Sequence, residues 1–103
     1  MEKPKNKLQR EEVLRILGLH KDEFASRYGV TRLGIFGSVA KDKATGASDV
    51  DVVVEMQKPD LFYMVHIKEE LEEALNCPVD IVHYRKRMNA YLKKRINSEA
   101  IYV

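Results

Sequence analysis

Leu33-Gly-Ile-Phe-Gly-Ser38, a short charged spacer, and then Ser48-Asp-Val-Asp-Val-Val-Val-Glu55 form the stretch that decides the fold. Leu33 to Phe36 is a short apolar run, the pattern of a strand. Gly37-Ser38 follows at once, and Val39 to Lys43 has helical potential. A strand, a Gly-Ser pair and a helix start place backbone N–H groups and a hydroxyl where an anion can sit. Ala44-Thr45-Gly46-Ala47-Ser48 reads as a turn. The next strand, about Val50 to Met56, is apolar and rich in valine, as a buried strand requires.

Asp51 interrupts that strand. An ionised carboxylate among apolar neighbours is costly unless it is paired or binds a metal. Asp49 lies two residues earlier, and side chains at i and i+2 on a strand point to the same face. Two carboxylates projecting together suit a hard, oxygen-seeking cation such as Mg²⁺. Mg²⁺ beside a phosphate-binding turn suits phosphoryl or nucleotidyl transfer.

Gly37-Ser38, the spacer and Asp49-Val50-Asp51 together resemble the signature of the DNA polymerase β-like nucleotidyltransferase superfamily. Phe36-Gly-Ser-Val-Ala40 and Gly46-Ala-Ser-Asp-Val-Asp51 are similar to its minimal, MntA-like branch, and the resemblance runs from about Tyr28 to the C-terminus. It implies a third acid on a later strand, and Asp80 in Val79-Asp80-Ile81-Val82 supplies one. By the same resemblance, Asp49 and Asp51 hold two Mg²⁺ ions, Asp80 holds the ion that activates the attacking hydroxyl, and Gly37 and Ser38 hold the triphosphate of ATP. Ser38 also has a plainer reading as a helix N-cap, and Ser48 as a cap of the turn before the strand. Relatives often carry Arg-Gly shortly after Gly-Ser; this chain has Lys41-Asp42.

At 103 residues the chain is expected to be a single domain, residues 1–103. Its 45% hydrophobic and 33% charged residues fit a globular protein. No apolar run approaches membrane-spanning length, the N-terminus lacks the apolar core of a signal peptide, and the lone Cys77 has no internal disulfide partner. A cytoplasmic location is expected. A net charge of +2 is too small to argue for nucleic acid by itself.

In order, the chain predicts a basic tail over 1–7, a helix from Leu8 to Leu17 ending at Gly18, and a second helix from His20 to Tyr28 stopped by Gly29. The strand Thr31–Phe36, the site segment and the strand Val50–Met56 follow. Pro59 and Asp60 open a helix, with Pro59 in its first turn and a broad apolar face of Leu61, Phe62, Met64, Val65, Ile67, Leu71, Ala74 and Leu75. Its acidic run reads as a solvated face. Asn76 to Pro78 ends it, Val79 to Val82 is a strand, Arg87 to Asn97 a helix, and Ala100 to Val103 a short edge strand. This alternation predicts an α/β (α+β) fold, a small mixed sheet flanked by helices. The resemblance implies the polymerase β-like nucleotidyltransferase version of it.

The remaining polar residues carry weaker signals. His20, His66 and His83 have no zinc-ligand spacing, though His83 follows the strand of Asp80. Lys41 and Lys43 sit where they can offset triphosphate charge. Tyr84 to Arg95 holds six cations and no acid, which fits either a solvated helix end or a docking face for an acidic partner or a polynucleotide.

The resemblance implies nucleotidyl transfer, with a hydroxyl attacking the α-phosphate of ATP and pyrophosphate leaving. It further implies a partner, a HEPN-domain ribonuclease toxin of the HepT kind. AMP placed on a tyrosine of that toxin blocks RNA cleavage. So short a chain leaves almost no room for an acceptor domain, which agrees with an acceptor site completed by another polypeptide in a hetero-oligomer. The expectation is a protein adenylyltransferase antitoxin. Two other classes stay open. A binding-only antitoxin acting by steric cover has no need of three carboxylates. A small-molecule or RNA nucleotidyltransferase is kept open by the basic C-terminal segment.

Overall fold

The computed structural model describes residues 9–42 and 49–103. The tail expected over 1–7, Lys43 and the turn expected over 44–48 lie outside the described residues. The elements run α1 (Arg10–Tyr28), β1 (Val30–Phe36), α2 (Gly37–Ala40), β2 (Val50–Met56), α3 (Leu61–Leu75), β3 (Val79–His83), α4 (Ala90–Glu99) and β4 (Ile101–Tyr102). The four strands form one mixed sheet in the order β3-β2-β1-β4. β1 is antiparallel to both β2 and β4, and β2 is parallel to β3. A parallel pair needs a crossover, and α3 is that crossover.

Strand alternation sorts the two faces of the sheet. Leu33, Ile35, Val50, Val52, Val54 and Val79 pack in the larger core with Val13, Leu17 and Phe24 of α1 and Ile67, Leu71 and Leu75 of α3. Phe36, Val53 and the half-buried Val82 turn the other way and pack against Ile96 and Leu92 of α4. Asp51 and Asp80 belong to this second face by alternation.

Three expectations need correction. α1 is one helix, not two, and Gly18 lies inside it. A glycine there costs roughly 0.5–1 kcal/mol relative to alanine. The buried stripe of Val13, Leu17, Phe24 and Tyr28 keeps helical spacing through that point and outweighs it. The helix ends as read, at Gly29 with φ 72°. Pro59 is not a helical residue: Asp60 is the N-cap of α3, its carboxylate accepting from the N–H groups of Phe62 and Tyr63 at 2.9 and 3.2 Å. The apolar face of α3 is also narrower than its composition implied. Ile67, Leu71 and Leu75 are buried, whereas Leu61 and Phe62 are 83% and 77% exposed.

The edge strand β4 is seated by a glycine. A Cβ at Gly34 would stand 2.5 Å from the Ile101 carbonyl oxygen and 2.8 Å from the Tyr102 ring. The Tyr102 ring takes the Arg32 guanidinium at 3.9 Å from its centroid. Gly34→Ala is expected to lower stability by about 1–3 kcal/mol through this overpacking. Urea unfolding will read it as a lower midpoint at unchanged slope. An unchanged midpoint would mean that β4 is not held at Gly34.

Candidate active site

The parallel pairing of β2 with β3 sets Asp51 opposite Asp80. The two carboxylates are cross-strand neighbours on one face, at the start of both strands. Asp49 is exposed and directly precedes β2, two residues before Asp51 and on the same side by alternation. Antiparallel pairing with β1 sets Phe36 opposite Asp51, so Gly37 emerges from its strand beside the same carboxylate. Gly37 has φ 79°, in the left-handed region that favours glycine, and a Cβ there would run into the Asp51 carboxylate. The glycine is therefore demanded twice, by backbone angle and by contact with the acid.

Ser38 is the second residue of α2, half-buried. The N-cap position belongs to Phe36, which has no capping side chain, so the capping reading of Ser38 does not hold. The short α2 turns out at Asp42, whose φ is 61°. Asp is among the few non-glycine residues that adopt this conformation readily. This gives the Lys41-Asp42 departure from Arg-Gly a backbone account.

The electrostatics single out Asp51. It is half-buried, and burial pushes its carboxyl above the ordinary carboxylate range. The negative charges of Asp80, Asp49 and Glu99 push the same way, against the pull of Arg95. Among the described residues, no three His, Cys, Asp or Glu side chains stand close enough together to grip an ion as placed. In donor chemistry the set does fit one. It consists of hard oxygen donors whose mutual repulsion a divalent cation would relieve.

Two residues that the sequence did not bring to the site, Arg95 and Glu99, lie beside it, together with Lys41, which the sequence had placed there. Arg95 of α4 reaches back over the Phe36 ring, its guanidinium carbon 5.5 Å from the centroid, and acts on Asp51 electrostatically. Glu99 accepts a hydrogen bond from the Gly37 N–H at 3.1 Å. Lys41 pairs with Glu99 at 3.2 Å. The i, i+4 spacing of Arg95 and Glu99 was the one visible signal, and it also describes an ordinary solvated helix pair. His83 lies elsewhere. It is three residues beyond Asp80, roughly 10 Å along the strand, and alternation turns it to the opposite face.

Comparison with known proteins agrees with this geometry. A family model described as a nucleotidyltransferase domain matches residues 17–103. The chain is 35% identical over 94 residues to the protein adenylyltransferase MntA of Thermococcus cleftensis, covering 90% of this chain and 94% of that protein. A solved minimal nucleotidyltransferase superimposes with a TM-score of 0.71 at 29% identity, covering 94% of this chain and 98% of the other. The fold is also that of a chain in the solved complex of a tri-AMPylated Shewanella oneidensis HEPN toxin with its MNT antitoxin. There the TM-score is 0.64 at 20% identity, over 92% of this chain and 71% of that one. With the Gly-Ser turn, the paired strand acids and a family match over most of its length, this chain belongs to the nucleotidyltransferase family, in its minimal, MntA-like branch.

Proposed function

We propose that the protein transfers AMP from ATP to a tyrosine hydroxyl of a HEPN-domain ribonuclease toxin and thereby acts as its antitoxin in the cytoplasm. One observation carries the reading. The Asp51–Asp80 pair stands against Gly37 in a chain that matches a protein adenylyltransferase nearly end to end. The complex of an AMPylated HEPN toxin with an antitoxin of this fold supports the choice of acceptor.

In the reaction, the acceptor oxygen forms a bond to the α-phosphorus. The bond from that phosphorus to the oxygen bridging to the β-phosphate breaks, pyrophosphate leaves, and the hydroxyl proton passes to solvent. Asp49, Asp51 and Asp80 are the residues that would hold two Mg²⁺ ions. Bound there, Mg²⁺ supplies Lewis-acid stabilisation of phosphate charge and lowers the pKa of the attacking hydroxyl. Gly37 lets the Asp51 carboxylate lie directly against its backbone, which holds the acid beside the turn where a phosphate would bind. The Ser38 hydroxyl is the adjacent polar group for orienting it. Positioning and charge stabilisation are what such a transfer asks of a protein.

The first test is incubation with α-labelled ATP, Mg²⁺ and the HEPN partner. Label is expected on a partner tyrosine, and the Asp49→Ala/Asp51→Ala double variant is expected to lose it by roughly 10²–10³-fold or more. Label on RNA or a small molecule would move the reading to another acceptor. Inhibition of the toxin in a stable complex with no label at all would leave only steric cover.

A second test uses the strain at Asp51. Its carboxyl titrates higher in the folded chain than in the unfolded one, so its ionisation destabilises the fold as pH rises through the folded pKa. Asp51→Asn is therefore expected to raise the metal-free melting midpoint at pH 7. The gain should fade as pH falls into the ordinary carboxyl range, where the group is protonated in the folded and the unfolded chain alike. Mg²⁺ with ATP should raise the wild-type midpoint by more than the variant's. A variant that melts below the wild type at pH 7 would contradict this account.

A further inference from the structure

Glu99 is the last residue of α4, and its carboxylate collects three donors, two from the ends of α2 and one from its own helix. Oε1 accepts from the Gly37 N–H at 3.1 Å and lies 3.5 Å from the Arg95 guanidinium; Oε2 lies 3.2 Å from Lys41 Nζ. The Glu99 side chain is only 14% exposed, whereas Lys41 is half-exposed and Arg95 about a third. Burial pushes this carboxyl up, but the Lys41 contact, the Gly37 N–H and Arg95 outweigh it and hold the group below its ordinary value. It is an anion kept as an anion.

Its place is unfavourable on local grounds. A carboxylate at a helix C-terminus opposes the helix dipole. An Arg–Glu pair four residues apart on an exposed helix contributes only a few tenths of a kcal/mol. What draws Glu99 inward is the cationic set. That set borders the candidate site directly, since Gly37 abuts the Asp51 carboxylate and both Arg95 and Glu99 act on Asp51.

We propose that Lys41, Arg95 and the Gly37 N–H form the set that binds the nucleotide's polyphosphate, and that Glu99 is an internal carboxylate which occupies the set until a polyphosphate displaces it. The inference rests on the nucleotidyl-transfer reading above. A polyphosphate carries several charges and many acceptor oxygens, so it satisfies two cations and an N–H better than one carboxylate does. Glu99 then acts as a built-in competitor. Apparent nucleotide affinity is reduced by the fraction of molecules in which it is seated. It also keeps Lys41 and Arg95 gathered beside the acids instead of dispersed in solvent.

The test is calorimetric titration with a non-hydrolysable ATP analogue and Mg²⁺. Glu99→Gln keeps the shape and can still accept from Gly37, but it cannot form ion pairs. It is expected to bind the analogue about 3–30-fold more tightly, and to lower KM for ATP while leaving kcat unchanged. Lys41→Met and Arg95→Met are each expected to bind about 5–10-fold more weakly. A structural defect does not produce tighter binding, which separates the two explanations. Wild-type binding with no gain in Glu99→Gln overturns this inference and leaves the nucleotidyl-transfer reading intact. A wild type that binds no nucleotide overturns both. Should Glu99→Gln fail to fold, Glu99→Asp carries the test, since its shorter carboxylate reaches fewer of the donors. Tighter binding supports the proposal, and unchanged or weaker binding overturns it.

Discussion

The register between β2 and β3 is the constraint on which the site depends. Side chains alternate along a strand, so a slip of one residue would turn Asp80 away from Asp51 and into the larger core. Several contacts fix that register at the start of β3. The Val50 N–H donates to the Pro78 carbonyl at 3.1 Å, and the Val79 N–H donates to the Glu72 carboxylate at 3.0 Å. Glu72 is held in turn by Lys68, one turn earlier on α3, at 2.9 Å. The end of the crossover helix thus ties directly to the first residue of the strand it feeds. Asp60 caps the other end of that helix. The register that sets Asp51 opposite Asp80 is therefore tied to how a helix on the opposite face begins and ends.

Those parts of the fold and site that rest on local chemistry were legible in the sequence. Val50–Met56 reads as a strand from its valines, Gly29 as a helix stop, and Asp51 as an anomaly because nothing apolar nearby compensates it. The rest depends on contacts distant in sequence. Gly18 reads as a helix end until the stripe from Val13 to Tyr28 is known to pack on one sheet face. Leu61 and Phe62 read as core from their apolar side chains alone, and the fold leaves both on the surface. Arg95 sits inside a run of basic residues, and no local pattern separates it from Lys93 or Lys94. Only the packing of Ile96 beneath α4 aims it at Phe36 and Asp51.

The two halves of the site are complementary in charge, and neither is satisfied within itself. Asp51 and Asp80 are acids in register, and burial and mutual repulsion raise the titration of Asp51. Lys41 and Arg95 are cations drawn together by a borrowed carboxylate from the end of α4. A metal-bound polyphosphate has the opposite polarity to each set, with divalent positive charge for the acids and several negative oxygens for the cations. On the proposed reading, one ligand resolves both. Gly37 lies at the seam, with its N–H on Glu99 and its bare α-carbon against Asp51. A side chain at this one position would separate the acid half of the site from the cationic half, and that is the physical reason for a glycine there beyond its backbone angle.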